Sequence, residues 1–406
     1  MPSVAGTPSA RSDACPGVLT THRADDGELV RVRVPGGQLT DVQLGVLADV
    51  AAELGDGVLH LTSRGNLQLR AVADAAELSE RLAAAGLLPS ATHERVRNIV
   101  ASPLSGLLGG LADVRPLVAE LDAAVCATPA LAALPGRFLF GFDDGRGDVG
   151  NSSDDRIDVC WRAVDDRHGV LLLAGVDHGV RAPIADAVPV TAATAAAFVS
   201  VRGDAWQVRE LGADDAEALA ARVRAERRLQ SAQRTEWPIQ SVERTEGVFQ
   251  RGGLIGVGLR FGALSSHQAR VLARLSPNIV LTPWRSVLVA NLDPAEAMAA
   301  ADALAQAGLV LDPRAPELAV SACIGRPGCG KALADVRADA TNAMSELATS
   351  PDPAAPRAHF SGCTRRCGRP RTPAVDVLAG GDGYLVDGEP VPAERLGAVL
   401  AEKGHE

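Results

Sequence analysis

An α+β chain of two homologous halves is predicted from three observations: a gapless internal match, a repeated strand and helix order, and cysteine pairs confined to the second copy. Residues 32–48, VRVPGGQLTDVQLGVLA, lie on residues 257–273, VGLRFGALSSHQARVLA. Val32, Gly37, Leu39, Gln43, Val46, Leu47 and Ala48 face Val257, Gly262, Leu264, Gln268, Val271, Leu272 and Ala273. Each copy reads as a strand, a glycine turn and a helix capped by Thr40 or Ser265, with apolar residues at helical spacing. Next, VLHLTSRGNLQLRAV (58–72) parallels IVLTPWRSVLVANL (279–292) as strand, turn, strand, with a threonine and an arginine at each bend. A second helix follows in 75–90 and in 294–313, ended by Gly86 or Gly308. Each unit is therefore β-α-β-β-α, half of a ferredoxin-like sheet with helices on one face, and two halves complete one domain.

A larger region follows each half unit. NIVASPLSG (98–106) stands where LAVSACIGRPG (318–328) stands, and GRFLFGFDD (136–144) where RAHFSGCTRRCG (357–368) stands. Hairpins end both regions: IDVCWRAVDDRHGVLLLAGV, and VDVLAGGDGYLV with its Gly-Asp-Gly turn. The expected organisation is a disordered stretch 1–14, a half domain 15–90 and a larger domain 91–212. A crossover helix and linker 213–240, a second half domain 241–313 and a cysteine-bearing domain 314–406 complete it. ADDAEALAARVRAERRLQSA (213–232) reads as an exposed charged helix, and GNSSDD (150–155) as a solvated loop. GGLIGVGLRFG (252–262) has the wrong spacing for a nucleotide loop, and the duplication accounts for it as strand and turn.

Composition narrows the function classes. With 406 residues, 47% of them apolar, the chain can bury a large core. A formal charge of -10 argues against broad nucleic-acid binding. No run approaches the roughly 18 uninterrupted apolar residues of a membrane span, and the first residues lack a secretory apolar stretch, so a cytoplasmic location is expected. Lysines stand only at 331 and 403 among 40 basic residues, so single arginines carry little weight.

Seven cysteines in such a chain do not suggest a disulfide framework. Cys15, Cys126 and Cys160 stand alone and read as ordinary thiols. Cys323 and Cys329 have five residues between them, Cys363 and Cys367 three, with 33 between the pairs. Structural zinc usually takes tighter knuckles, whereas four thiolates from two glycine-rich loops suit an iron-sulfur cubane. Arg326, Lys331, Arg365, Arg366 and Arg369 could offset its negative charge. Zinc and a chance grouping are the alternatives.

The Cys-x5-Cys and Cys-x3-Cys pattern in the second of two homologous halves resembles the sulfite and nitrite reductase superfamily, over about residues 15–400. The resemblance implies the fold stated above, in which each ferredoxin-like half domain precedes a nitrite/sulfite reductase-type α+β domain. It also implies a 4Fe-4S cluster on the four cysteines, with Cys367 bridging to sirohaem in the reductases. Arg64 of TSRGNLQ, and Arg97 with Asn98 of VRNIV, would contact tetrapyrrole carboxylates, for which guanidinium forks are suited.

Within the superfamily, ACPGVLTTHRADDGELVRVRVPGGQLT, LTSRGNLQLR, FGFDDGRGDV, VGLRFGALS and LTPWRSVLV are similar to stretches that mark the precorrin-3B synthase family. That family hydroxylates precorrin-3A with dioxygen and closes a lactone in aerobic cobalamin synthesis. One departure from the reductases agrees: their LPRKFK-like strand reads LPGRFLF here, with Arg137 and Leu139 in place of two lysines. Arginine is a poor proton donor and leucine donates nothing, so multi-electron reduction of sulfite is not expected. The substrate would be gripped by Arg64, Arg97, Arg137 and Arg285. A mononuclear non-haem iron would take ligands from His359 and Asp143 or Asp144. No flavin or nicotinamide motif is evident, so an external ferredoxin or NADH-linked reductase is the expected electron donor. A sirohaem reductase and a non-catalytic tetrapyrrole-binding iron-sulfur protein are the rival readings.

Overall fold

The computed structural model describes all residues except 1–12, 14, 150–156, 230–231, 234–247, 349–355, 371 and 405–406. The expected solvated loop 150–155 and most of the stretch 1–14 lie outside the described residues. The chain divides into two compact units, one of 1–17 with 89–244, the other of 18–88 with 245–406.

The first copy runs β1 (His22–Ala24), β2 (Gly27–Val32), β3 (Gln38–Leu39), α1 (Asp41–Leu54), β4 (Val58–Leu61), β5 (Leu67–Val72) and α2 (Ala75–Ala84). The region after it has β6 (Ile99–Ala101), α3 (Arg115–Ala127), β7 (Phe140–Asp143), β8 (Val159–Ala163), β9 (His168–Leu173), β10 (Val176–Pro183), α4 (Ala187–Val201) and α5 (Ala213–Glu226). The second copy repeats the first as β11 (Phe249–Arg251), β12 (Leu254–Val257), β13 (Ala263–Ser265), α6 (Ser266–Leu275), β14 (Asn278–Leu281), β15 (Val287–Ala290) and α7 (Ala297–Gln306). The cysteine-bearing region closes the chain with α8 (Pro316–Ala319), β16 (Val320–Ala322), α9 (Val336–Ala348), β17 (Ala358–Ser361), β18 (Val375–Ala379), β19 (Tyr384–Val386), β20 (Glu389–Val391) and α10 (Leu396–Lys403).

The repeat holds at the level of single hydrogen bonds. Thr40 and Ser265 both cap their helices through capping boxes, with Gln43 and Gln268 returning the bond to the cap backbone. Both glutamines also donate to the end of the next helix, Gln43 to Ala85 O and Gln268 to Ala307 O. Gly86 and Gly308 end those helices with left-handed backbones.

The β-α-β-β-α reading omits two features of each copy. A hairpin, β1–β2 or β11–β12, adds an outer strand. The short strand before the helix crosses to the other copy, so β13 pairs with β4 and β3 with β14. The sheets are thus β1-β2-β5-β4-β13 and β11-β12-β15-β14-β3, each finished by its twin. One apolar core, with Leu44, Leu47, Leu59, Leu69, Leu264, Leu272, Val287 and Leu304, spans both halves. Neither half could bury its face alone.

The two larger regions share one sheet order. β6, β7 and β8 run parallel, followed by antiparallel β9 and β10; β16, β17 and β18 run parallel, followed by antiparallel β19 and β20. Both expected hairpins are present, as β8–β9 and β18–β19. The expected exposed charged helix is present as α5, which keeps its charged residues outward and buries Leu219, Ala220 and Val223 in the core of the first region. Residues 184–201 reach a mean hydropathy of 1.6 but are broken by Asp186, and α4 within them packs Val190, Ala195 and Phe198 into that core.

Candidate metal centre

Parallel pairing decides where the cysteines meet. Val320 faces Ala358 and Ala322 faces Phe360, so β16 and β17 end side by side and their loops leave together. Cys323 follows β16 directly and Cys363 follows β17 after one residue. Cys323 N–H donates to Phe360 O at 2.9 Å, Leu333 N–H to Gly362 O at 2.8 Å, and Gly362 N–H to Cys323 Sγ at 3.2 Å. Partial burial raises the pKa of the Cys367 thiol, and charge on nearby Cys323, Cys363 and Cys329 raises it further. Four thiols on two adjoining loops are a donor set suited to a soft cation. The residues fit an iron-sulfur cluster, with a glycine N–H already directed at one sulfur.

Distant residues hold the two loops. The β1–β2 turn grips the first: Gly330 N–H donates to Asp25 Oδ2 at 2.8 Å, and Arg70, bidentate on Asp26, donates to Gly328 O at 2.8 Å. His359 sets the second, through Nε2 to Cys367 O at 3.1 Å and Nδ1 to Ser321 Oγ at 2.9 Å. Burial lowers the His359 pKa to about 4, leaving a neutral ring that donates from Nε2 and accepts at Nδ1.

Cations reach the loops from elsewhere in the chain as well. Arg337 on α9 donates to Cys323 O at 3.2 Å and stacks over Phe261. Arg285 lies beside Gly368, such that a β-carbon there would be 3.7 Å from its Nη2. Of the loop cations named from sequence, Arg366 and Arg369 pair with Asp376, and Arg326 donates to Ala332 O.

The twin loops of the first region carry no thiol pair. By strand register Ser102 takes the place of Cys323 and Asp144 that of Gly362. The bonding is the same, with Asp144 N–H donating to Ser102 Oγ at 3.1 Å, Ser102 N–H to Phe142 O at 3.0 Å and Leu111 N–H to Asp144 O at 2.7 Å. Asp143 accepts from the N–H groups of Gly145, Gly147 and Val149, Arg146 is bidentate on Asp144, and Ser102 donates to Asp148. Ligand atoms of Asp143, Asp144 and Asp148 lie within 4.8 Å of each other. Burial raises the pKa of Asp143 to about 6 and of Asp148 to about 7, and for Asp148 the Asp143 charge adds to it.

The structure brings together Cys323, Cys329, Cys363, Cys367, His359 and Arg285. The other residues named from sequence make contacts within the chain. His359 has both ring nitrogens engaged, and Asp143 and Asp144 close their own loop. Arg97 is bidentate on Asp122, and Asn98 donates to Arg95 O and Gly136 O, so both brace the fold. Arg137 is exposed and stacks on Trp206 at 4.7 Å, while Arg64 is half-buried at its bend. Sequence reasoning missed Asp25, Asp26, Arg70 and Arg337. The ADDG turn was the one local signal, and it does not reveal what the turn holds.

The family described as the nitrite/sulfite reductase ferredoxin-like half domain matches residues 22–85. Among curated proteins, a Sinorhizobium precorrin-3B synthase is 28% identical over 93% of this chain and 82% of its own. A ferredoxin–nitrite reductase of Synechococcus elongatus is 25% identical over 89% and 78%. The NirA protein of Mycobacterium tuberculosis shares the fold, with a TM-score of 0.69 and 19% identity over 91% of this chain and 79% of that one. The half-domain match and these relatives support a place in the nitrite and sulfite reductase superfamily. Within it, the likeness to precorrin-3B synthase spans nearly its full length.

Proposed function

We propose that the protein is an oxygen-dependent hydroxylase of a polycarboxylated tetrapyrrole, acting on precorrin-3A as precorrin-3B synthase does. The full-length likeness supports this reading, and Leu139 carries it. Where the reductases place a proton-donating lysine, this chain has a leucine that is 4% exposed, packed with Val100, Ile157 and Val170. A buried apolar side chain cannot deliver protons to a bound anion.

Cys323, Cys329, Cys363 and Cys367 would hold a 4Fe-4S cluster, which supplies single-electron transfer when bound. Arg64, half-buried at its bend, is the guanidinium group proposed for a substrate carboxylate. His359 keeps Cys367 in place. His359, Asp143 and Asp144 each make internal hydrogen bonds, Asp143 and Asp144 lie with Asp148 in a carboxylate group that could hold a cation, and no step is derived through a mononuclear iron. In the overall reaction one atom of dioxygen enters the macrocycle and the other leaves as water. Two electrons come from an external ferredoxin or NADH-linked reductase, with two protons from solvent.

Protein purified without oxygen should contain iron rather than zinc and show broad cluster absorption. Given precorrin-3A, a reductant and isotopically heavy dioxygen, it should place one heavy oxygen in the product. Sirohaem bands with nitrite or sulfite turnover would overturn this reading in favour of a reductase. A cluster without any turnover would leave a binding protein.

A further inference from the structure

Arg285 has a left-handed backbone, φ 62°, at the position where the first copy has Gly65, φ 67°. A non-glycine residue keeps that conformation at an energetic cost, where its surroundings hold it. The register is unambiguous, because Thr62 and Thr282 start the two bends and each accepts from the second and fourth following N–H groups. The arginine is therefore an addition to a bend that glycine closes unaided.

Its stem lies against Gly262, where a β-carbon would stand 2.8 Å from Cδ. Its head reaches Gly368, next to Cys367. The residue is half-buried, and no hydrogen bond or ion pair of its guanidinium is formed among the described residues. Burial lowers its pKa with no acid beside it to oppose the effect. Arg337, held on Cys323 O, lies near enough to feel the Arg285 charge. Two partly desolvated cations at one pair of cysteine loops call for an anion. A thiolate-bound cluster is that anion, and each electron it accepts adds one negative charge.

The geometry points to Arg285 as the counter-charge of a cluster on Cys323, Cys329, Cys363 and Cys367, a positioning residue that favours the reduced state and raises its reduction potential. Of the loop arginines, Arg366 and Arg369 are less able to do so, since Asp376 already offsets them. This inference rests on the four-cysteine reading and not on tetrapyrrole chemistry, so the test uses no substrate.

The full chain and its Arg285→Gly and Arg285→Lys variants are reconstituted with iron and sulfide. Iron content is measured, and the midpoint potential is followed by electron paramagnetic resonance. Glycine suits this backbone, as Gly65 shows, so Arg285→Gly isolates the charge from the fold. Full iron with a more negative potential in Arg285→Gly, and a potential near wild type in Arg285→Lys, is expected. Iron loss in Arg285→Gly alone would also support the counter-charge. An unchanged potential in Arg285→Gly, or equal shifts or equal iron loss in both variants, would overturn it. A wild-type chain that takes up no iron would overturn the cluster reading itself.

Discussion

The loops after β6 and β7 and the loops after β16 and β17 leave the same kind of sheet through the same backbone contacts, and they close in opposite ways. In the first region Ser102, Asp143, Asp144, Arg146 and Asp148 satisfy one another within the chain. In the second, Cys323 takes over the bond of Ser102 and accepts the equivalent N–H, and Cys367 feels the charges of Cys323, Cys363 and Cys329. A duplicated scaffold can thus keep its hydrogen-bond frame while one loop pair is bonded within itself and the other gathers thiols suited to a ligand. Where a ligand closes the loops, its binding energy becomes folding energy for that region.

The largest expected effect removes this distinction. Cys323→Ser gives the second loop the residue of its twin, and bound iron should fall to background, whereas Ser102→Ala should leave iron content unchanged. Iron analysis of both purified variants checks this, and retained iron in Cys323→Ser would deny the cysteine a ligand role. Chelating the metal should likewise expose 323–332 and 361–368 to protease while sparing 102–113 and 143–149.

The next effect weakens the loop pair bonded within itself. Asp143→Ala strands three buried N–H groups, each costing about 1–3 kcal/mol, so a loss of about 3 kcal/mol is expected in urea unfolding. Its pH dependence has an unusual sign. The folded pKa values of Asp143 and Asp148, about 6 and about 7, lie above the ordinary carboxylate value. Their contribution is complete below pH about 4 and is lost as pH rises through 6 and 7. The first region should therefore lose stability from pH about 4 to pH about 7 and change little above that. Asp148→Asn should flatten this slope and gain on the order of 2 kcal/mol at pH 8.

What the sequence disclosed follows the range of each interaction. The duplication, both N-caps and the terminal glycines were legible because capping and turns are set within a few residues. The two cysteine pairs were legible for the same reason. Counter-charges were not, because they form across the fold: Arg97 meets Asp122 on α3, and Arg70 reaches Gly328 from β5. Of the arginines beside the cysteines in sequence, Arg366 and Arg369 are taken by Asp376, while Arg285 and Arg337 arrive from other elements. The exchange of β3 and β13 was hidden by their length, since strands of two and three residues leave no periodicity to read.

The smallest effect tests where the two copies remain alike. Gln43 and Gln268 each complete a capping box and brace the next helix end, Gln268 with a further bond to Gly308 O. Replacing either by Ala should cost about 0.5–1 kcal/mol, with Gln268→Ala slightly the more costly. Their helices pack on one another through Arg270 and Asp49, yet the glutamines bind different helix ends, so the double variant should cost the sum of the two. Additive, nearly equal losses in thermal unfolding would confine the divergence of the copies to the loops beyond the shared core. A strongly unequal pair would place divergence within that core as well, and would mean that the exchanged strands do not carry the two halves equally.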